Sequence, residues 1–300
     1  MTATSTAAPL GAVDSAERPP VAPRRRRRRH NTGTNIIAGI VSLIWVFPVY
    51  WMLNTSFKPL GDVSNLTPQF LPKHPTFQNY VTAVTKTDFL INLRNSVIVV
   101  LGTLILAIGL AFFASAALSR FRFKSRRPIL VAILAVQMLP AAALLIPQFL
   151  VFNRLGLLGS YLGLILAYVA ATLPFSIWVM RGFFVAIPKE MEEAAQVDGA
   201  KTWTILWKIW FPLVAPGVIS TSIFAFIAAW NDYLTAYVFM KDQSMYTLPL
   251  WLASFSVPNQ ATNYAAQMAA SVLFSLPVVI FFLLIQRKLV SGMSAGAVKG

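Results

Sequence analysis

Long apolar segments alternate with shorter polar stretches along most of this chain. Six such segments are identified, at about 36–57, 95–118, 129–151, 160–182, 213–239 and 265–287. An α-helix rises about 1.5 Å per residue, so roughly 20 apolar residues cross the roughly 30 Å hydrocarbon core of a bilayer. The pattern therefore predicts an all-α, polytopic membrane protein with six transmembrane helices.

Prolines lie inside or beside these segments, where each removes a backbone hydrogen bond and bends a helix. They are Pro48, Pro140, Pro147, Pro174, Pro216 and Pro277. A bilayer tolerates such positions only where neighbouring helices or water satisfy the freed carbonyl groups. The sequence thus predicts helices that bend and that rearrange against one another.

The amino-acid composition limits the kinds of functional site that the chain can contain. Hydrophobic residues make up 57% of the chain and charged residues 12%, as expected of a membrane protein. Cysteine is absent, and the two histidines are His30, near the N-terminus, and His74, in a proline-rich loop. Neither a disulfide, nor a metal site, nor a cluster of catalytic residues is predicted, so an integral membrane enzyme is a disfavoured alternative.

The formal net charge of +15 comes from basic residues at the edges of apolar segments, so no nucleic-acid partner is predicted. Basic residues collect before the first span at 24–29, after the second at 120–127 and after the sixth at 287–288. Positively charged flanks stay on the cytoplasmic side of a lipid bilayer. Both termini and the loop at about 183–211 are therefore predicted to be cytoplasmic.

The charge pattern also divides the chain. Residues 1–34 are too poor in bulky apolar side chains to form a core and are predicted to be a disordered basic tail. The arginines at 24–29 are interpreted as an anchor beside anionic lipid headgroups, with nucleic-acid binding as the alternative. Residues 35–290 are the predicted transmembrane domain, and residues 291–300 a short cytoplasmic C-terminal tail.

An energy source is not evident in the chain itself. The stretch Gly199-Ala200-Lys201-Thr202 lacks the glycine before lysine that a nucleotide-binding P-loop requires. Asp232 is the ionisable residue identified within the spans, about 19 residues or roughly 28 Å along the fifth, which predicts a position near the outer surface. The energy is therefore expected to come from another subunit. A secondary carrier that acts alone is the alternative, and would show ion-coupling residues inside the membrane.

The loop at 183–211 has the sequence of two short helices. Pro188 and acidic residues at 190, 192 and 193 are typical of a helix start, and Gly199 of a helix end. A second helix carries an apolar stripe that would face the membrane or a partner. The residues of the stripe are Trp203, Leu206, Trp207 and Trp210. We therefore expect a helix-turn-helix that projects into the cytoplasm.

This loop resembles the signature of permease subunits of binding-protein-dependent ABC importers. The signature reads Glu-Ala-Ala, three residues, Gly, nine residues, then Ile-x-Leu-Pro. The chain has Glu193-Ala194-Ala195, Gly199, Ile209 and Pro212, with Phe211 in place of leucine.

Further stretches resemble the carbohydrate branch of the family, and its maltose-type second permease subunits in particular. They are Pro75-Thr76-Phe77-Gln78-Asn79-Tyr80, Leu173-Pro174 with Trp178 and Arg181, and Trp230-Asn231-Asp232-Tyr233. The resemblance covers roughly residues 36–290 and leaves the basic tail unmatched.

The resemblance implies a permease in the cytoplasmic membrane of a prokaryote, with no catalytic role and no bound cofactor. It implies pairing with a second permease subunit, two cytoplasmic ABC ATPase subunits that use ATP and Mg, and an extracytoplasmic solute-binding protein that delivers a sugar. A polyol or a glycerol phosphate is the alternative solute.

The same resemblance implies an ATPase-docking site in the loop. Its residues would be Glu193, Ala194, Ala195, Asp198, Gly199, Ala200, Ile209 and Pro212. The acidic residues would shape the docking element, Gly199 would form its turn, and the alanines would allow close contact with a partner. The alternative interpretation is an ordinary amphipathic loop at the membrane interface.

A second candidate group lies in the fifth span. Trp230, Tyr233 and Tyr237 could stack on a sugar ring while Asn231 and Asp232 bind hydroxyl groups. The alternative for this group is an interface belt that contacts the binding protein or the second permease.

Polar and small residues in two other spans suggest further contacts. Gln137, Gln148 and Asn153, in and beyond the third span, are interpreted as helix-packing amides or as the lining of a polar path. Gly102 and Gly109 in the second span predict close helix contacts.

Overall fold

The computed structural model describes residues 32–63, 67–85, 87–256 and 263–296, without the side chains of residues 32 and 287–296. Every regular element in these ranges is a helix. The elements are α1 (Thr32–Ser56), α2 (Leu60–Val63), α3 (Gln78–Thr85), α4 (Phe89–Arg120), α5 (Arg126–Gln137), α6 (Ala141–Arg154), α7 (Tyr161–Ala186), α8 (Glu190–Val197), α9 (Thr202–Ile205), α10 (Phe211–Asn231), α11 (Leu234–Phe239), α12 (Leu248–Ala253) and α13 (Tyr264–Gly296). A π-helical turn, Leu206–Trp210, joins α9 to α10, and a short 3-10 turn, Gln243–Met245, precedes α12.

Within the described ranges, five helices are long and apolar enough to cross a membrane. They are Gly33–Ser56, Phe89–Arg120, Tyr161–Ala186, Thr202–Asn231 and Tyr264–Gln286. The predicted disordered tail, residues 1–34, lies almost entirely outside the described residues. The helix α13 continues to Gly296, so it enters the predicted C-terminal tail at 291–300.

The third predicted span, 129–151, is not one continuous helix. It consists of α5 and α6, which meet at an angle of 106° and form a sixth span only if the pair is counted as one. The break falls at Pro140, whose extended backbone precedes α6 and whose ring nitrogen has no hydrogen to donate. The sequence indicated a kink here, and the structure has a sharp turn.

The fifth predicted span, 213–239, has different limits at both ends. The helix begins at Thr202, inside the predicted loop, and it ends at Asn231. Asp232 then adopts an extended conformation, and its carboxylate accepts a hydrogen bond from the backbone N–H of Ala236 in α11. This side-chain acceptor starts a new helix and so separates α11 from α10.

The helices α4, α7 and α10 pack against one another. Gly102 on α4 lies close to α7, since a Cβ atom there would lie 2.6 Å from Ile165 Cδ1. Gly217 on α10 similarly faces Phe183, and small residues of this kind let helices approach in a bilayer. The predicted close contact at Gly102 is therefore present, whereas Gly109 faces open space.

Buried side chains form two separate cores along these helices. The first, here called the distal core, includes Val99, Leu164, Trp230, Leu248 and Trp251. The second, here called the loop-side core, includes Phe112, Met180, Phe184, Ile205 and Val214. The loop that follows α7 packs on the loop-side core. A displacement of that loop would therefore change the packing at the ends of α4, α7 and α10.

Candidate functional site

The helix α8 is an exposed, acidic helix. It spans Glu190–Val197, carries three carboxylates in its first turn and has no buried residue. Carboxylates at this end stabilise a helix by about 0.3–1 kcal/mol each through its macrodipole. The exposed members of the predicted docking site in α8 and its following turn are Glu193, Ala194, Asp198 and Gly199. These residues are therefore accessible to a protein that binds the loop.

Two of the predicted docking alanines have a different environment. Ala195 and Ala200 are only partly exposed and pack against the loop-side core of this chain. Their small size lets α8 lie close to its own helix bundle. Ala194 alone of the three alanines is fully open to a partner.

Gly199 ends α8 with a backbone φ of +82°. Its N–H donates to the Gln196 carbonyl at 3.0 Å, and the Ala200 N–H donates to the Ala195 carbonyl at 2.9 Å. This pair of bonds is the Schellman arrangement, which commonly needs glycine at the left-handed position. A side chain there would cost roughly 1–2 kcal/mol.

The second half of the loop is part of the fifth span. α9, the π turn and α10 form one helix from Thr202 to Asn231. The π turn lies directly before Pro212, which has no N–H for the carbonyl four residues earlier. Ile209 packs on the loop-side core, whereas Pro212 is exposed.

The predicted apolar stripe is divided between two environments. Leu206 and Trp210 are 7% and 4% exposed and lie in the loop-side core. Trp203 and Trp207 are 64% and 41% exposed, and their rings contact each other edge to face. The stripe therefore attaches the helix to the bundle on one side and leaves two tryptophans outside.

Arg120, the last residue of α4, connects the loop to the bundle. Its guanidinium donates to the carbonyls of Phe184 and Ile187, at 2.7 and 3.0 Å, where α7 ends. Its Nε lies 2.9 Å from Glu192 Oε1 on α8, and the two side chains are only 7% and 13% exposed. Sequence reasoning assigned Arg120 to membrane orientation and Glu192 to the helix start, and missed this contact, because no spacing rule links residues so far apart.

The candidate group of the fifth span is split by the structure. Trp230 is 2% exposed and stacks on Phe226 inside the distal core, so it is not available to stack on a solute. Asn231 is exposed and donates to the Ile227 carbonyl of its own helix. Tyr233 and Tyr237 are exposed and stack on each other with ring centroids 5.6 Å apart.

Asp232 connects the end of α10 to α7 and α11. Its Oδ2 accepts from the Tyr168 hydroxyl at 2.9 Å and from the Ala236 N–H at 3.1 Å, and its Oδ1 accepts from the Thr235 hydroxyl at 3.1 Å. Tyr168 is about two turns, or roughly 10 Å, inside the start of α7. The carboxylate therefore lies directly after the last residue of α10 and beside the second turn of α7.

A cavity of about 450 Å³ opens beside Asp232. Residues of α5, α6, α7 and α10 line it, mostly alanine and other apolar residues. Its polar lining residues are Gln137, Gln148, Tyr168, Thr172, Asp232 and Thr235. Two of the three amides predicted for a polar path are thus brought together, whereas Asn153 does not line the cavity.

Long apolar helices, an exposed acidic helix between two of them and a polar cavity within the bundle define a multi-span membrane transport protein. The chain belongs to the binding-protein-dependent transport system inner membrane component family, which matches residues 107–295. It is accordingly a permease subunit of a prokaryotic cell membrane, and the resemblance seen in the sequence is confirmed.

Individual relatives are similar over nearly their whole length. The diacetylchitobiose uptake system permease protein DasC of Streptomyces coelicolor is 41% identical over 266 residues, which cover 89% of this chain and 96% of that protein. The trehalose/maltose transport system permease protein MalG of Thermococcus litoralis is 35% identical over 263 residues, which cover 87% and 94%.

A solved structure has the same fold. It is a bacterial ABC transporter involved in the import of the acidic polysaccharide alginate, and it matches with a TM-score of 0.77 at 24% identity. The match covers 85% of this chain and 95% of the transporter chain.

Proposed function

We propose that this chain is a membrane-spanning subunit of an ATP-driven importer that carries a carbohydrate delivered by an external binding protein. A second permease subunit would complete the membrane domain, and two ATPase subunits would bind α8 and the turn at Gly199 from the cytoplasm. The relatives named for uptake of diacetylchitobiose and of trehalose or maltose support a sugar. The chain itself would bind no cofactor, since ATP and Mg would act in the ATPase subunits.

The observation that carries this proposal is the attachment of α8. The helix is exposed on one side, as a docking element must be, and Arg120 fixes its other side to the ends of α4 and α7. A force applied to α8 would therefore reach α4 through the Glu192–Arg120 ion pair, and α7 through the hydrogen bonds that the charged guanidinium donates, which are stronger than neutral ones. An ordinary interfacial loop needs no such attachment.

The basic residues support the cytoplasmic orientation. Arg120 and the cluster at 120–127 lie on the loop side of the bundle, where the positive-inside rule places the cytoplasm. The carboxylates of α8 would then face the ATPase subunits. By the same rule the first span would start from the cytoplasmic side.

Substitution of Gly199 tests the docking role. In Gly199→Val the backbone strain is about 1–2 kcal/mol, while a Cβ there meets no atom within 4 Å among the described residues beyond its two chain neighbours. We expect loss of ATP-dependent uptake of labelled diacetylchitobiose, trehalose or maltose by vesicles that contain the full complex, with the subunit still in the membrane.

Gly156→Val is the matched control. Gly156 also has a positive φ, +67°, and open space around its Cβ position, but it lies in the loop between α6 and α7. It should carry a similar strain and retain uptake. Equal uptake by both variants and the unaltered complex would contradict the docking role.

A further inference from the structure

The cavity beside Asp232 contains polar groups that the fold does not use. Neither Gln137 nor Gln148 makes a side-chain hydrogen bond with the described residues. An unsatisfied amide facing hydrocarbon costs several kcal/mol, which favours a position beside a cavity that holds water or a ligand. Helix packing, the other interpretation of these two amides, would require partners across the helix interface.

The bend of the third span brings these amides to the cavity. Gln137 ends α5 and Gln148 lies in the second turn of α6, on either side of the 106° turn at Pro140. In a straight helix they would stand 11 residues, roughly 16 Å, apart along the axis. Both instead line one cavity of about 450 Å³, which lies in the range of small-molecule sites.

The polar lining favours a neutral, hydroxyl-rich ligand. Each glutamine amide offers both donors and acceptors, which matches a hydroxyl group that also does both. A carboxylate has about four acceptor positions, and three donors already occupy those of Asp232, so one remains for a ligand hydroxyl. The lining contains neither lysine nor arginine, which disfavours an anionic lipid headgroup or a phosphate ester.

We propose that this cavity is a subsite for a neutral polyhydroxylated solute in transit, with Gln137, Gln148 and Asp232 binding its hydroxyl groups. The inference rests on the proposed function, because it places a contact for the transported sugar on this subunit. The alanine-rich walls leave room for the solute and bind it weakly, as transit requires.

A cysteine probe tests the subsite directly. The chain has no cysteine, so Gln148→Cys introduces a single thiol on this subunit. The complex is prepared with cysteine-free partner subunits in detergent, where a hydrophilic methanethiosulfonate reagent reaches both sides. The solute is whichever of diacetylchitobiose, trehalose and maltose the unaltered complex accumulates. At about ten times its Kd the solute should slow the labelling of Gln148→Cys about tenfold.

Lys241→Cys is the control for this labelling, since Lys241 is exposed and lies outside the cavity. Its rate should not change with the solute. Equal labelling of Gln148→Cys with and without solute, in a complex that accumulates that solute, would overturn the subsite and leave the proposed function intact. Failure of the unaltered complex to accumulate any of the three under ATP would count against the proposed function instead.

Transport kinetics provide a second measurement. Gln148→Leu removes the amide at similar size, so the KM for uptake should rise about three- to tenfold, the equivalent of one lost hydrogen bond, with little change in kcat. Asn153→Leu is the matched control on the same helix, because Asn153 does not line the cavity. A KM equal to that of the unaltered complex in Gln148→Leu would overturn the proposal.

Discussion

At the scale of single residues, Arg120 joins the loop to the membrane helices through polar contacts. It binds two carbonyls at the end of α7 and the carboxylate of Glu192 on α8. Because the pair is largely buried, loss of one partner leaves the other charge without compensation. The contact therefore combines a structural role with a role in positioning α8.

Arg120→Gln should weaken both roles. Removing one member of a buried ion pair costs about 3 kcal/mol or more, so we expect a lower apparent unfolding temperature of the purified complex. We also expect basal ATP hydrolysis to continue while its stimulation by solute-loaded binding protein falls, because α8 no longer transmits its movement to α4 and α7. Thermal unfolding and stimulated ATP hydrolysis are the two measurements.

Two variants separate positioning from general stability. Arg120→Lys keeps the charge but not the forked guanidinium that reaches three acceptors, and should be intermediate. Arg122→Gln removes an exposed cation two residues away and should leave both measurements unchanged. Normal stimulation in Arg120→Gln would show that α8 transmits its movement by another contact.

At the scale of elements, the π turn Leu206–Trp210 sets the rotation of α9 and the loop relative to α10. A π turn holds one more residue than the α-helical turn it replaces, and each residue rotates a helix by about 100°. With the extra residue in place, Leu206 and Trp210 both lie in the loop-side core, while Trp207 stacks on Phe112 at the edge of that core and Trp203 is exposed.

Deletion of Lys208 should remove that extra residue. The segment before it would rotate by about 100°, which would expose Leu206 and displace the turn at Gly199. We expect less ATPase in the complex after affinity purification and loss of ATP-dependent uptake. Lys208→Ala retains the residue count and removes only an exposed side chain, so it should assemble normally. Normal assembly of the deletion variant would contradict this role of the π turn.

The long spans could be predicted from sequence because apolar length is a local property of the chain. The angle at Pro140 and the end of the fifth span could not, since proline permits a range of bends and the break at Asp232 depends on Tyr168 of another helix. Trp230 was likewise a candidate for stacking on a sugar ring, but the surrounding helices bury it.

The local structure of the loop at 183–211 was easier to predict than its attachment to the helix bundle. The acidic helix start and the glycine turn are encoded by consecutive residues, and both are present. Ala195 and Ala200 pack against the loop-side core, whose residues come from segments far apart in the sequence. Their direction therefore could not be predicted from the loop sequence alone. Gln137 and Gln148 were identified as candidates for a polar path, but the turn between them was needed to place them at one cavity.

At the scale of the whole molecule, the question is what drives transport. Asp232 is the carboxylate among the residues that line the cavity, and an ion-driven carrier would use such a carboxylate for coupling. In this structure three donors hold the carboxylate, which starts α11 and binds Tyr168, and the acceptor position that remains is the one assigned to a solute hydroxyl. These bonds give the carboxylate structural and binding roles that do not require ion coupling.

Asp232→Asn separates these possibilities. The amide oxygen can take the place of Oδ2 and still accept from Ala236 and Tyr168, and the Thr235 hydroxyl can reverse to accept from the amide nitrogen, so the break between α10 and α11 should persist. If transport is driven by ATP, uptake should continue with kcat within about threefold of the unaltered complex, since at most one hydrogen bond is weakened. It should also resist a protonophore and stop when ATP is withdrawn. Two results together would instead indicate an ion-coupled carrier. The assembled Asp232→Asn complex would fail to accumulate the solute, and the protonophore would abolish uptake by the unaltered complex at constant ATP.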